Sequence, residues 1–300
     1  MDYADVVAAM IDVEASPATP IPTTSPEPAR RLRDAIEPLA MHPVWSAGTN
    51  TALAALGLDF MTGYVWGRSA ALGDPSPGVV AATFAVFEPE MIGAVHERAR
   101  ATCGREELLG ARDAATTASL AEILEGEDVA GTAEVLRRAV LEADGTGRAL
   151  FSGLLDRPWP DEPVGVLWRA CEMLREHRGD SHVAVCTAEG RGPVEMNRLT
   201  ELWVGFPLGT YSASRGWSAE EIAATAEDLR EIGLLDGDGL SDEGRVFRND
   251  IEAATDELEL PIVEAIGTAD EVIIGRLDSW SRRCVEAKAF PPDPFKRAAG

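Results

Sequence analysis

The sequence predicts a mainly α protein, with β structure confined to one short hairpin near residue 236. Three observations carry that prediction. Apolar residues recur at three- and four-residue spacing along most of the chain, the period of a half-buried helix. Period-two alternation, the mark of a half-buried strand, is scarce. Gly and Pro fall at intervals that leave segments of helical length between them. With 45% hydrophobic residues over 300 positions, the chain can bury a substantial core.

From the N-terminus, residues 1–15 read as a short amphipathic helix through Val6, Val7, Met10 and Ile11. The stretch SPATPIPTTSPEP that follows holds five prolines in thirteen residues and reads as an extended linker. The first helix is therefore tethered, to dock on its own body, on a partner or on nothing. Helical patterns follow at about 27–40, 48–57, 59–72, 76–87, 89–102, 104–125 and 128–143. They are separated by Pro43, Gly57, Gly73-Asp74-Pro75, Glu88-Pro89 and Gly126. The run RPWPDEP at 157–163 reads as a hinge, with further helices at 164–177, 180–189 and 193–204. The expected division is 1–28 helix and linker, 29–156 helical domain, 157–290 second domain and 291–300 flexible tail.

Residues 216–258 hold the most distinctive pattern. Ser218 is an N-cap with Glu220 and Glu221 in the first turn, where the helix dipole favours acids. Ile222, Ala226 and Leu229 give that helix an inward face. Leu234-Leu235, the turn Asp236-Gly237-Asp238-Gly239 and Leu240 read as a tight hairpin. Ser241 then caps a helix whose apolar stripe is Phe247, Ile251, Ala254 and Leu258. Helix, hairpin and helix in this order are those of a winged helix, and the first of the two helices would enter the major groove of DNA. Its outward face instead carries Glu220, Glu227 and Glu231. From Ser218 to Leu258 thirteen acids face three arginines, a net of −10. DNA affinity comes largely from Lys and Arg neutralising phosphates, so nucleic acid is an unlikely partner for this surface.

The rest of the composition points the same way. Net charge is −24, and the only lysines are Lys288 and Lys296. Cys103, Cys171, Cys186 and Cys284 form no CxxC pair, so buried thiols are expected and a disulfide framework or zinc knuckle is not. No apolar run approaches the length that spans a bilayer, and the N-terminus has no basic region followed by an apolar core. A cytoplasmic protein with no membrane partner is expected. Phosphate loops, GxSxG elbows and HExxH motifs are absent, and the sequence names no cofactor.

Candidate site residues fall in three segments. HRGDSH supplies His177, Asp180 and His182, three side chains able to act as acid, base or metal ligand, with His182 the first suspect as general base. The same segment has a structural reading. Asp180 could cap a helix beginning at Ser181, with His177 closing the one before, and no metal site is assigned. GYVWGR supplies Tyr64, Trp66 and Arg68 as ligand contacts, with Gly63 and Gly67 spaced to let another helix approach. LTELWVGFPLGTYSASRGW supplies Trp203 and Tyr211 from an aromatic-rich loop able to line a pocket.

Two stretches, 57–92 and 159–185, together with the capped-helix unit, resemble a family of actinobacterial MarR-like winged-helix (helix-turn-helix) proteins, most with no assigned activity. The resemblance covers about 30–285. It implies an N-terminal helical domain plus a C-terminal winged-helix domain with a small β wing. The chain departs from the family pattern at Ala70-Ala71-Leu72-Gly73, where Ala-Pro-Leu-Gly is usual. It departs again at Thr83-Phe84-Ala85-Val86-Phe87, where Thr-Phe-Tyr-Asn-Phe is frequent.

Three functions compete. The first is a small-molecule-binding protein on a winged-helix scaffold that does not read DNA, with a role in tailoring a natural product. The second is a ligand-responsive regulator, which needs a basic patch from Arg30, Arg31 and Arg33 or from Arg282 and Arg283. The third is an enzyme using His177, Asp180 and His182. Whether the chain is catalytic stays open at this point. A homodimer follows by analogy with winged-helix regulators.

Overall fold

A computed structural model describes residues 2–13, 27–206 and 209–299. The described residues are mainly helical, and no helix among them is long and apolar enough to cross a membrane. The chain opens with α1 (Tyr3–Val6), which continues as a wider π turn over Val7–Ile11. Residues 16–26 of the expected linker lie outside the described residues. Then come α2 (Pro28–Ala40), α3 (His42–Trp45), α4 (Ala47–Ala55), α5 (Phe60–Ser69), α6 (Pro77–Phe84), α7 (Pro89–Thr102), α8 (Arg105–Ile123), α9 (Ala130–Glu142) and α10 (Ala149–Leu155). Pro at the first turn of α2, α6 and α7 fits the start of a helix, where its missing N–H would have no partner.

The axis of the molecule is α11 (Pro163–Ala188), about 39 Å long at 1.5 Å per residue. It packs on α2, α8, α9 and α10, burying Leu167, Trp168, Cys171 and Met173 completely. A core indole such as that of Trp168 contributes roughly 3–5 kcal/mol against Ala. The sequence breaks this helix at Gly179-Asp180, and the structure does not. One glycine in a helix interior costs only about 1 kcal/mol, and burial on both sides of the break outweighs it. Asp180 therefore cannot cap a helix at Ser181. Its carboxylate instead accepts from the N–H of Phe151 at 3.1 Å, capping the start of α10 from a neighbouring helix.

After α11 come α12 (Pro193–Val204), α13 (Thr210–Ala213) and α14 (Ala219–Glu231), then β1 (Leu235–Asp236), β2 (Gly239–Leu240) and α15 (Asp242–Ile266). The Ser218 hydroxyl accepts from Glu221 N–H at 3.2 Å, and the Glu221 carboxylate accepts from Ser218 N–H at 2.9 Å, a full capping box. Leu235 pairs with Leu240 and Asp236 with Gly239, so the hairpin turns through Gly237 (φ +57°) and Asp238. Ser241 caps α15 by accepting from Gly244 N–H at 2.9 Å. A Cβ on Gly244 would lie 1.9 Å from the Leu234 carbonyl oxygen, so only glycine fits there.

The buried stripe of α15 is not the apolar one. Leu258 is exposed and Ala254 half-buried, while Arg248, Glu252, Asp256 and Glu259 join Ile251 in facing inward. The helix also runs on through Pro261 to Ile266. A rotation of the buried face this large succeeds only because the inward charges meet opposite charges on α2 and α11. Next, α16 (Asp270–Glu286) packs on α2 through Ile273, Leu277, Trp280 and Cys284. Residues 294–299, expected as a flexible tail, form α17 (Pro294–Ala299), and its Ala298 is buried against Trp203 and Val204.

The early helices and the α12–α15 unit meet at residues 85–88. The Val86 carbonyl accepts from Asn197 Nδ2 at 2.7 Å and from Trp217 Nε1 at 2.9 Å, and Glu88 N–H donates to the Arg215 carbonyl at 2.9 Å. Ala85, between these anchors, holds φ +53°, a strained conformation for a residue with a side chain.

Candidate functional site

Where these elements converge they leave a cavity of about 160 Å³. Its wall carries seven arginines, Arg30 and Arg33 from α2, Arg68 from α5, Arg175 and Arg178 from α11, Arg248 from α15, and Arg215 from the loop after α13. Glu252 is the one acid on the wall among the described residues. An arginine-rich wall, largely paired with carboxylates behind it, thus sits inside a chain of net charge −24.

The spacing explains how the arginines reach one place. On α2, Arg30, Arg33 and Glu37 stand at i, i+3 and i+7, and on α11 Arg175, Arg178 and His182 do the same. Each set forms one face of its helix. Arg248 and Glu252 stand one turn apart on α15. Glu252 accepts from Arg30 at 2.8 Å, Arg178 at 2.8 Å and Arg248 at 2.7 Å, tying three helices together. Burial pushes its carboxyl up, but the surrounding cations outweigh burial and hold it well below the usual carboxylate range. Glu176 accepts both arms of Arg68, at 2.9 and 2.7 Å, while Arg175 reaches Glu37 at 3.2 Å. The Arg68 guanidinium also lies 4.5 Å from the Phe84 ring, and that of Arg248 lies 4.3 Å from Trp203.

Of the residues singled out in the sequence, Tyr64, Arg68, His182 and Tyr211 line this cavity together. Trp203 lies under its floor, 5% exposed, with Nε1 donating to Asn249 at 2.9 Å. Trp66 stands apart, buried edge-on to His96 and donating to the Cys103 carbonyl at 3.3 Å. His177 is buried against Glu259, at 2.8 Å, and does not reach the cavity. Gly63 and Gly67 admit neighbours as the spacing anticipated, since added Cβ atoms would lie 3.1 Å from Leu53 and 3.2 Å from Arg112. The sequence reading missed Arg175, Arg178, Arg215, Arg248 and Glu252 as cavity residues. Charged residues at helical spacing were the available signal.

The chemistry of the site follows from these placements. His182 Nδ1 lies 3.2 Å from the Thr255 hydroxyl, and burial, then Arg248, push its pKa down to about 3, so the ring is neutral at pH 7. The Cys186 thiol, 3.6 Å from His182 Nε2, is pushed up to about 11 by burial and is no nucleophile at that pH. No group of three or more His, Cys, Asp and Glu residues is arranged to hold a metal among the described residues. All four cysteines are buried. What remains is a cationic, aromatic-backed cavity suited to holding an anion in a fixed orientation.

The exterior is different. Glu220, Glu227, Asp228 and Glu231 are exposed on α14, and Arg230 is taken up by Glu227 at 2.9 Å and by the hairpin carbonyl of Gly237 at 2.9 Å. Arg30 and Arg33 are 3% and 4% exposed, while Arg31, Arg282 and Arg283 are paired with Glu271, Asp278 and Glu127. The two arginine groups named for a DNA-binding patch are thus buried or neutralised.

A family model described as a helix-turn-helix family matches residues 29–291. No curated protein and no solved structure matches the chain.

Proposed function

The chain belongs to that helix-turn-helix family, and from this premise we propose that it binds an anionic small molecule inside the scaffold and leaves DNA unread. The observation that carries the reading is the inversion of charge, seven arginines around an internal cavity in a chain of net charge −24. Six of these arginines are paired with carboxylates and Arg215 has no ion pair among the described residues, whereas a regulator of DNA would carry its cations outside. We read the hairpin unit as a wing of the MarR-like kind, the molecule as a cytoplasmic homodimer, and natural-product tailoring as its setting.

Native mass spectrometry of the full chain, with a denatured control, tests the proposal. We expect a non-covalent mass of small-molecule size, lost in Gly179→Leu, whose new side chain points into the cavity. The same spectrum reads the oligomeric state. An apo mass, or a mass that persists in Gly179→Leu, overturns the assignment of the cavity. A gel shift on duplex DNA at low salt would overturn the second half of the proposal.

A second reading, catalysis on the bound molecule, rests only on the place of His182 on the cavity wall, since burial and Arg248 make its neutral ring a weak base. His182→Gln should then keep the bound mass and stop its conversion. If conversion continues, His182 is no base.

A further inference from the structure

Beside the arginine cavity lies a second compartment of about 270 Å³, walled by Met10, Val44, Trp45, Phe60, Met61 and Phe290. Tyr64, Phe87, Arg175, Tyr211 and Arg215 belong to both walls and stand between the two spaces. Glu37 is the one acid on the second wall among the described residues, and Arg175 already occupies it at 3.2 Å. The N-terminal segment closes the far side through Val6, Ala9 and Met10. It is latched by the Tyr3 hydroxyl, which donates to the Trp45 carbonyl at 2.5 Å, and by Lys288 on Asp12 at 2.6 Å.

Two cations here, Arg215 and Lys296, form no ion pair among the described residues. The other six cavity arginines each pair with a carboxylate, but Arg215 has no ion pair among the described residues. It donates to the Ser214 hydroxyl at 3.0 Å, and its Nε is buried without a hydrogen-bond partner. Its guanidinium is held over Tyr211, 4.3 Å away, and beside Phe87, 5.2 Å away, so its fork is preorganised. Lys296 stands on the wall of the apolar compartment, 5.5 Å from the Phe206 ring, and its ammonium makes no hydrogen bond among the described residues. Burial, then Arg215, push its ammonium down to about 8, and the nearby Asp293 only partly opposes them.

We propose that this compartment takes an aromatic monocarboxylic acid, its ring system among the aromatic and Met side chains and its carboxylate on Arg215 and Lys296. The inference rests on the reading of the junction cavity as the ligand site and adds the class of ligand. A carboxylate matches the planar fork of one arginine, and the apolar wall offers nothing to further charges on the ligand. The aromatic lining selects a flat body over a sugar or a peptide.

Isothermal titration of the full chain with 1-naphthaleneacetate and with its uncharged counterpart 2-(1-naphthyl)ethanol tests the proposal. The acid should bind one per chain and at least tenfold tighter than the alcohol. Arg215→Met and Lys296→Met should each erase most of that difference and leave alcohol binding unchanged. Met61→Trp, which fills the compartment, should weaken both at least tenfold. Equal affinity of acid and alcohol for the native chain overturns the carboxylate site without recourse to any variant. Undiminished acid binding in Arg215→Met overturns its placement. If neither probe binds while Gly179→Leu still removes a co-purifying mass, this inference falls and the cavity reading stands. If no co-purifying mass is found either, both fall.

Discussion

Replacing Gly179 should make the protein more stable and less functional at once. Gly179 sits inside α11, more than two turns from either end, where glycine is about 1 kcal/mol less favourable than alanine. The usual reason for a helix-interior glycine is a close neighbour, as at Gly67. Gly179 has none, because a Cβ built there meets no atom within 4 Å and would project into the arginine cavity. Gly179→Ala should therefore gain roughly 0.5–1 kcal/mol. For a chain of this length, with unfolding entropy near 2.1 cal/mol/K per residue, that raises Tm by about 1–2 °C. Gly179→Leu should keep the gain and exclude the ligand from the 160 Å³ cavity. Differential scanning calorimetry reads the first effect and native mass spectrometry the second. A fall in Tm for the alanine variant would refute the reasoning, since it would mean that the open space beside Gly179 is needed for packing rather than left for a ligand.

Three further outcomes follow from the buried charges. Glu252→Gln leaves Arg30, Arg178 and Arg248 facing one another without their shared acceptor, and urea titration should read a loss of about 3–5 kcal/mol. Adding Arg248→Met should recover part of that loss, and no recovery would mean that the cluster is not the origin of the effect. His42 is fully buried and burial pushes its pKa down to about 3, so its neutral form stabilises the fold fully above 6.5 and that contribution drains away as pH falls toward 3. The native chain should lose about 1.4 kcal/mol per pH unit below 6.5 from this group, and His42→Gln, measured at pH 7 and pH 5, should lose correspondingly less. Asp180 is pushed the other way, up to about 6 by burial and by Glu176, so its ionisation costs the fold progressively as pH rises from 3.8 to about 6, with the full cost present above that. Asp180→Asn can still accept from Phe151 N–H and should be ~2 kcal/mol more stable than the native chain at pH 7, an advantage that vanishes at pH 4.

The helices were legible because their punctuation is local. Pro28, Pro77 and Pro89 start helices, Ser218 and Ser241 cap them, and Asp236–Gly239 turns the hairpin. The cavity was only half legible. Tyr64, Arg68, His182 and Tyr211 stood out as chemically capable side chains in unusual segments. The arginines of α2, α11 and α15 did not, because a charged stripe at helical spacing has the pattern of a solvated face. Only the packing of three such stripes against one another turns them inward, and that is a relation between distant segments. The same blindness misplaced the buried face of α15, where Leu258 is exposed and Glu259 buried. It also gave Asp180 the wrong helix to cap, since the start of α10 lies 29 residues away in sequence.

An acidic shell around a basic interior has a kinetic consequence. Most charged binding sites advertise themselves to their ligands through the surrounding field and lose on-rate as salt is added. Here an approaching anion first meets a chain of net charge −24 and feels attraction only at short range. Salt screens the long approach more than the buried contact. The association rate should therefore rise with ionic strength, measured by stopped-flow quenching of tryptophan with 1-naphthaleneacetate, while the affinity changes little. If the proposed ligand site holds, such a protein fills slowly and turns away small, highly charged metabolites before they reach the cavity.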